Sequence, residues 1–327
     1  MKTIFATYPW AYFTPGGGEY QLEKLYNAIK KRNYTLEKFN SWEPQVEFDI
    51  YHYFSCIGGS YDFCNYLKEA GKKLVISSSL WITKKHINNY PIEEIKRQLN
   101  LADKIITNSK MEKSLLSDTL SIKQDNFEVV HNGYDSKLIG FRNKKKIPSY
   151  DISQKLGKNY IYCLANIEPR KNQDLLVEAC RKLNLNLVLA GNIRDHEYFS
   201  KLNIKEDDSL IKFIGPVKHN SEVYFSLFRY AKCFVLPSKL ETPGLAALEA
   251  AAYGLPLIIT SEGSAQEYFG DLKTYYNGEE SDIDELCEIL KYVVKDPSNG
   301  IVDDEQIKKF TWDNCALRQI EIYNNLL

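Results

Sequence analysis

The sequence predicts a parallel α/β protein divided into two domains, and three observations carry that reading. The chain has 327 residues, more than one ordinary domain and suited to two of moderate size. Short apolar runs alternate with helical stretches along most of it, the pattern of a parallel sheet covered by helices. The third observation is the stretch 233–260. Residues 233–236 form an apolar run that reads as a buried strand, broken by Pro237, Ser238, Pro243 and Gly244. Residues 245–253, rich in Ala and Leu, have strong helix propensity, and Gly254 and Pro256 end that helix. The next strand is 257–260. A strand, loop, helix and strand in this order place the loop and the helix start at the sheet edge where α/β ligands bind.

Composition narrows the class. Hydrophobic content of 44% with 26% charged residues describes a soluble globular protein. A net charge of −1 gives no electrostatic footprint for nucleic acid. The seven cysteines are dispersed in apolar runs without metal-ligand spacing, which suggests reduced core thiols and the cytoplasm. Only a short apolar run separates Lys2 from Pro9, so no signal peptide is expected, and no stretch approaches the ~20 apolar residues of a membrane span. Internal repeats and low-complexity tracts are absent from the sequence.

In chain order, 3–7 reads as a strand and 8–15 as an aromatic-rich loop. Gly16, Gly17 and Gly18 then open a helix over 19–31. A Gly-rich turn between strand and helix lets backbone approach a phosphate at the helix N-terminus, although three glycines also make an ordinary flexible turn. Further strands fall at 34–39, 48–54 and 73–77, with a helix at 60–70. Asp49 and His52 lie in the third strand; a half-buried His beside a sheet is the plain reading, and a proton role is the other. Ser79 follows the 73–77 strand. Residues 101–110 read as a strand and a helix start capped by Ser109, and 128–135 as a strand and turn preceded by His131. The charged stretch 137–149, with Arg142, three lysines at 144–146 and Pro148, is read as the boundary between a domain of residues 1–145 and one of 146–310. Its lysines read as a solvated face, with contact to anionic lipid as the alternative.

The second half restarts with a strand at 159–165. Glu168-Pro169-Arg170-Lys171-Asn172 then opens a helix over 173–182. Two cations at a helix start oppose the macrodipole, so their position is unfavourable unless an anion lies there, and a nucleotide diphosphate would explain it. An exposed basic turn is the alternative. Strands follow at 187–191 and 211–215, then helices at 220–230 and 283–294 and a terminal helix begun by 310–312. Asp282-Ile283-Asp284, the one D-x-D triplet, follows a polar run and reads as a helix N-terminus instead of a metal site. Two carboxylates remain, Glu241 in the loop and Glu249 in the helix of the central stretch, eight positions apart. Glu249 sits among Ala247, Leu248, Ala250 and Ala251. A carboxylate so placed needs partners, and two sugar hydroxyls or a core Arg would serve equally well.

The E-x7-E spacing, with Gly244 and Leu245 after the first Glu and G-L-P at 254–256, resembles the retaining glycosyltransferases of family 4, which have the GT-B fold. Other segments match the family in order: Pro15, Gly16, Gly17 and Glu19; Asp49 and His52; A-D-x-I-I-T-x-S at 102–109; Asn132, Gly133 and Asp135; and E-P-R-K-N at 168–172. Together they span nearly the whole chain.

The resemblance implies two doubly wound, Rossmann-like domains facing each other across a cleft, with a last helix, 311–327, returning toward the N-terminal domain. It implies retaining transfer of a hexose from a nucleoside-diphosphate sugar to a glycan or lipid-linked acceptor of surface polysaccharide assembly. Glu241, Lys171 and Arg170 would be catalytic, with Glu241 on the donor sugar and Lys171 on the diphosphate. Glu249 would hold the ribose, and Gly244, Leu245, Gly16 and Gly17 would complete the donor site. His52, Ser79 and His131 are the acceptor-side candidates. No metal or other cofactor is required in this scheme; the leaving phosphate itself takes the acceptor's proton. Many E-P-R-K-N members are mannosyltransferases, which turns the expectation toward GDP-mannose over a UDP-sugar. The expected site of action is the cytoplasm, at the inner face of the membrane, by peripheral contact. Three departures from the family stand out: Ser79 where a His is common, Ala165 or Asn166 where an Arg is common, and Pro243, which has no N–H. They keep open a weakly active or non-catalytic partner subunit that binds nucleotide-sugar or glycan, beside a different GT-B enzyme such as a sugar-nucleotide epimerase.

Overall fold

The computed structural model describes residues 2–13, 15–44, 47–143, 149–278, 280 and 282–326. The chain divides into two compact units, Met1–Gly133 with Phe310–Leu327, and Tyr134–Lys309. The three lysines at 144–146 and Pro148 lie outside the described residues.

The first unit is built on six strands: β1 (Lys2–Thr7), β2 (Thr35–Lys38), β3 (Ile50–Phe54), β4 (Lys73–Ser77), β5 (Lys104–Thr107) and β6 (Phe127–Val129). They form one sheet in the order β2-β1-β3-β4-β5-β6, and every pairing is parallel. Strands covered on both faces need apolar residues at successive positions. β3 meets that need: all five of its residues are buried, His52 among them. The core joins Ile4, Tyr51, Leu74, Ile76 and Ile105 of the strands to Leu67, Ile95 and Leu116 of the covering helices. Helix Trp312–Asn324 packs against helix Gly17–Lys30 within this unit.

The second unit repeats the plan with β7 (Tyr160–Leu164), β8 (Leu187–Ala190), β9 (Ile211–Phe213), β10 (Ala231–Leu236), β11 (Leu257–Thr260) and β12 (Tyr275–Tyr276). Its order is β12-β11-β10-β7-β8-β9, again all parallel. Ile161, Leu187, Leu189, Val235 and Ile258 from the strands meet Leu176, Cys180, Leu286 and Leu290 from the helices in one core. The chain builds outward from β7 to β9, then returns to the other side of β7 with β10. Between β7 and β10 the direction of building reverses, which makes the carboxyl edge of these two strands the topological switch point of the sheet, the place where open α/β sheets bind ligands.

The predicted helices 173–182 and 245–253 occur as Gln173–Lys182 and Leu245–Tyr253, the latter ended by Gly254 in a left-handed conformation (φ 88°). Ser109 caps helix Lys110–Leu120 by accepting from the Glu112 amide, and Asp282 caps helix Ile283–Lys295 by accepting from the Asp284 amide. All seven cysteines are buried and free. The polar stretch 137–149 contains a helix the sequence does not announce, Lys137–Arg142, which packs on helix Leu245–Tyr253 and stacks Phe141 on Phe225 at 3.8 Å. Helices Ile92–Leu99, His196–Lys201 and Ala265–Phe269 are likewise additions to the predicted set. Each is eight residues or fewer, too short for periodicity to mark it against its polar flanks.

Candidate active site

At the carboxyl edge of the second sheet, three loops converge. The loop after β7 ends in a tight turn, Pro169–Lys171, with Pro at its first position and Asn172 in the left-handed region (φ 55°) before helix Gln173–Lys182 begins. Gln173 Nε2 donates to the Asn166 carbonyl at 2.8 Å and folds this loop onto its own helix. The loop after β10 is tied to it: the Lys239 amide donates to the Arg170 carbonyl at 3.0 Å. The loop after β11 braces the far side. The Glu241 amide donates to the Glu262 carbonyl at 3.1 Å, and the Ser264 amide donates to the Glu241 carbonyl at 3.0 Å. Tyr276, from β12, donates its hydroxyl to the carbonyls of Pro237 and Ser238, with the Ser238 contact at 3.1 Å.

This lacing points two charged side chains at each other. Lys171 Nζ lies 2.5 Å from Glu241 Oε1, with side-chain exposures of only 13% and 5%. A pair this short and dry is the strongly coupled kind, because little water screens it. Gly244 sits directly under it at φ 84°, a conformation that L side chains rarely adopt. A Cβ there would meet Leu236 Cδ2 at 2.7 Å and Glu241 Oε2 at 3.1 Å. The glycine therefore makes room for both the turn into helix Leu245–Tyr253 and the carboxylate above it. Gly263 (φ 103°) is equally constrained, since its missing Cβ would fall on the Glu241 carbonyl. Thr242–Pro243 is a cis peptide within the same loop.

Glu249 lies one turn into helix Leu245–Tyr253 and is 2% exposed. His219 Nδ1 is 3.6 Å from its Oε1, just beyond hydrogen-bond range. His219 is thirty positions from Glu249 and no motif marks it, so the sequence offers no signal for this neighbour. Arg170 is different in kind. Its side chain is 53% exposed, paired with Glu168 at 3.0 Å, and reaches the Leu240 carbonyl at 3.4 Å. Lys171, Glu241, Gly244, Leu245 and Arg170 are thus gathered at one end of one sheet, with Glu249 on the adjoining helix.

The other predicted residues belong to the first unit. The Gly16 amide donates to Glu19 Oε2 at 2.7 Å, and Glu19 Oε1 accepts from the Tyr8 hydroxyl at 2.8 Å, so the Gly16–Gly17 start of helix Gly17–Lys30 is closed by a carboxylate of its own first turn. Ser79 is exposed, at φ 47°, and accepts from Asn108 Nδ2 at 3.4 Å. His131 is half-buried after β6 with its ring edge-on to Phe310 at 5.2 Å. His52 is fully buried: Nδ1 meets the Tyr323 hydroxyl at 2.5 Å and Nε2 meets Ser77 Oγ at 2.8 Å. Burial pushes its pKa down to about 3. It is a neutral packing residue, which corrects the expectation of a half-buried His: the strand entering from Asp49 is covered on both faces.

A feature of the first unit that no motif marks is Glu112. It is fully buried, and its carboxylate accepts from the Asn108 amide at 2.7 Å, the Leu80 amide at 2.9 Å and Ser78 Oγ at 3.0 Å. One side chain thereby clamps the loops leaving β4 and β5. Among the described residues no group of three or more His, Cys, Asp or Glu is arranged to hold a metal ion, and no helix is long and apolar enough to cross a membrane.

Comparison with known proteins follows the same lines. Over 252 residues the chain is 25% identical to the O-antigen chain mannosyltransferase B of Escherichia coli, covering 72% of this chain and 64% of that protein. Over 232 residues it is 25% identical to an uncharacterized glycosyltransferase of Methanocaldococcus jannaschii, covering 69% and 60%. The match thus spans less than two thirds of the length of these curated relatives. Among solved structures, sucrose-phosphate synthase of Thermosynechococcus elongatus superposes with a TM-score of 0.76 at 17% identity, over 100% of this chain and 99% of that one. Anabaena HepE in complex with UDP-glucose superposes with a TM-score of 0.72 at 16% identity, over 99% and 100%. At such identities the likeness speaks for the fold, which is the predicted GT-B class with its two Rossmann-like sheets. The family model described as glycosyl transferases group 1 matches residues 146–310, half of the chain and the whole of the converging-loop site, and the protein belongs to that family.

Proposed function

We propose that the protein is a retaining, metal-independent hexosyltransferase of the family 4 type, moving a hexose from a nucleoside-diphosphate sugar to a glycan or lipid-linked acceptor. The observation that carries this reading is the Lys171–Glu241 pair on the loops that leave β7 and β10, 2.5 Å apart, nearly excluded from solvent and at the edge where α/β sheets bind nucleotides. Lys171 meets the β-phosphate of the donor and Glu241 the hydroxyls of its sugar. As the glycosidic bond breaks, negative charge builds on the leaving diphosphate, and a fixed ammonium stabilises that charge without reorganising solvent. The work a divalent ion does in other phosphate chemistry is thereby given to a side chain. Glu249, eight positions on in the E-x7-E spacing and 2% exposed, holds the ribose. Its two oxygens suit two vicinal hydroxyls better than one exposed cation. Arg170 sits at the rim and adds to the positive field at the mouth. The leaving phosphate takes the acceptor's proton, and the surface-polysaccharide setting places the enzyme in the cytoplasm at the inner face of the membrane.

The mannosyltransferase relative favours mannose as the sugar, and the UDP-glucose complex of HepE makes glucose the competing donor. The test is incubation with GDP-mannose or UDP-glucose and a panel of glycan and lipid-linked acceptors in excess chelator, with the anomeric configuration of the glycoside product read by NMR. Transfer with the donor's anomeric configuration kept, at the rate seen with magnesium, is expected. An inverted product, or activity that returns only with a divalent ion, would remove the mechanism. Nucleotide binding without any transferred sugar would favour the partner-subunit reading instead.

A further inference from the structure

Among the described residues, nine non-glycine positions have positive φ, and six of them are Asn, which tolerates that region. Ser79 is not of that kind. It stands exposed in the loop after β4 at φ 47°. A non-glycine residue keeps such a conformation only where its surroundings impose it, and such positions collect at ligand contacts. The group that imposes it here is Glu112. Its Oε1 accepts from Ser78 Oγ at 3.0 Å and from the Leu80 amide at 2.9 Å, so one oxygen grips the residues on either side of Ser79. Its Oε2 accepts from the Asn108 amide at 2.7 Å. The start of helix Lys110–Leu120 does not require this reach. Its cap, Ser109, is local, whereas Ser78 and Leu80 lie 34 and 32 positions back. Complete burial of a carboxylate is costly, and here the offsetting bonds serve the two loops that leave β4 and β5.

Fixing those loops brings Ser79 to Asn108. Asn108 Oδ1 accepts from Gln21 Nε2 at 2.8 Å, which turns Asn108 Nδ2 toward Ser79 Oγ at 3.4 Å. Gln21 and Asn108 are buried, and the row opens to solvent only at Ser79, outside the carboxyl ends of the strands where α/β sheets bind ligands. Because Ser79 Oγ already accepts from Asn108, its hydroxyl is the donor at the open end of the row. The row contains no cation, so it suits a neutral, hydroxyl-bearing ligand better than an anion.

We propose that Glu112 is a positioning residue of the acceptor side. It holds Ser79 in the left-handed conformation beside Asn108, so that the Ser79 hydroxyl donates to a hydroxyl oxygen of the acceptor sugar. Naming that sugar as an acceptor rests on the transferase reading above; the strained serine and its clamp do not.

Ser79→Gly separates the conformation from the hydroxyl, because glycine adopts positive φ freely. Methyl α-D-mannopyranoside and methyl α-D-glucopyranoside are the probes, with binding to the full chain read by NMR titration and stability by urea denaturation. Ser79→Gly should be no less stable than wild type yet bind the preferred probe about 3–10-fold more weakly, the loss of one hydrogen bond. Ser79→Ala should weaken binding equally without any gain in stability. Glu112→Gln turns an amide N–H toward groups that are themselves donors, so it should weaken probe binding as well. Adding Ser79→Gly to it should then cost less than in wild type, because the hydroxyl is already out of place. Ser78→Ala loosens the same clamp from the other side and repeats the cycle should Glu112→Gln not fold. Equal probe affinity in wild type and Ser79→Gly, or no binding of either probe by wild type, would overturn the proposal. Additive effects in the cycle would leave Glu112 a structural residue and overturn its positioning role. Hydrolysis of GDP-mannose and UDP-glucose without acceptor keeps the two readings apart. Donor hydrolysis beside probe binding that ignores Ser79 would mean that the transferase reading stands and this one fails. Probe binding that depends on Ser79, with neither donor turned over, would keep the site and remove the transferase reading.

Discussion

Lys171→Met removes an ammonium while keeping most of the volume of its stem. In the unliganded protein the loss falls on Glu241, whose carboxylate is 5% exposed and sits 2.5 Å from the missing charge. Removing one partner of a buried pair costs about 3–5 kcal/mol, because the other charge stays desolvated. Lys171 keeps 13% exposure, so water reaches part of the space and the lower end, ~3 kcal/mol, is expected. Adding Glu241→Gln removes the stranded charge and should restore most of that stability. Turnover should not follow. Both Lys171→Met and the double variant lose the cation proposed to face the leaving phosphate, so the chemical step should slow by ~10²-fold or more in each, about 2.7 kcal/mol of transition-state stabilisation. Glu241→Gln alone frees Lys171 from its carboxylate, so bare nucleoside diphosphate should bind at least as tightly as to wild type while sugar transfer falls. Urea denaturation followed by circular dichroism gives the stabilities, and single-turnover quench with the matched donor gives the step. Recovery of turnover together with stability in the double variant would mean that Lys171 only holds the loop. An unchanged chemical step in Lys171→Met would take it out of the site and leave Arg170 as the nearby candidate.

Three further outcomes can be checked. If Glu249 holds the ribose as proposed, Glu249→Ala should weaken bare nucleotide by roughly 2–4 kcal/mol, the loss of two hydrogen bonds to a charged acceptor; equal affinities by calorimetry would remove it from the ribose. Gly244→Ala should destabilise the fold by about 1–3 kcal/mol and slow transfer beyond that, because the added Cβ meets Leu236 and pushes on Glu241 in a strained conformation; wild-type melting and rate would contradict the constraint. His52 titrates near 6.5 in the unfolded chain but only at about 3 when folded. Between these values the unfolded state holds the extra proton, so stability falls as pH falls, by up to about 1.4 kcal/mol per pH unit below 6. His52→Gln should flatten that acid limb of the stability curve, and an unchanged slope would show that other groups carry it.

Much of this protein is legible in its sequence because much of it is local. Helix Leu245–Tyr253 depends on Ala and Leu propensity and on Gly254, all within one segment, and the strands at 73–77 and 257–260 announce themselves as short apolar runs between breakers. The loop 168–172 is conspicuous for the same reason, since cations against a helix start are a conflict visible from neighbouring residues alone. Short elements such as β12 and helix Ile92–Leu99 are less visible, because two to eight residues contain too few periods to stand out.

What the sequence by itself determined, then, is most of the longer elements, the α/β class and the residue types gathered in a few loops. Which charges meet was decided by the tertiary structure alone. Lys171 and Glu241 are seventy positions apart and pair because β10 returns beside β7 while β8 and β9 build away on its other side. His219 reaches Glu249 across thirty positions, and His52 is sealed by Tyr323 from a helix 271 positions later. The physical reason is the range of the forces involved. Propensity and capping act over a few residues and are written in local sequence, whereas ion pairing and desolvation depend on distances that exist only once the strand order is set.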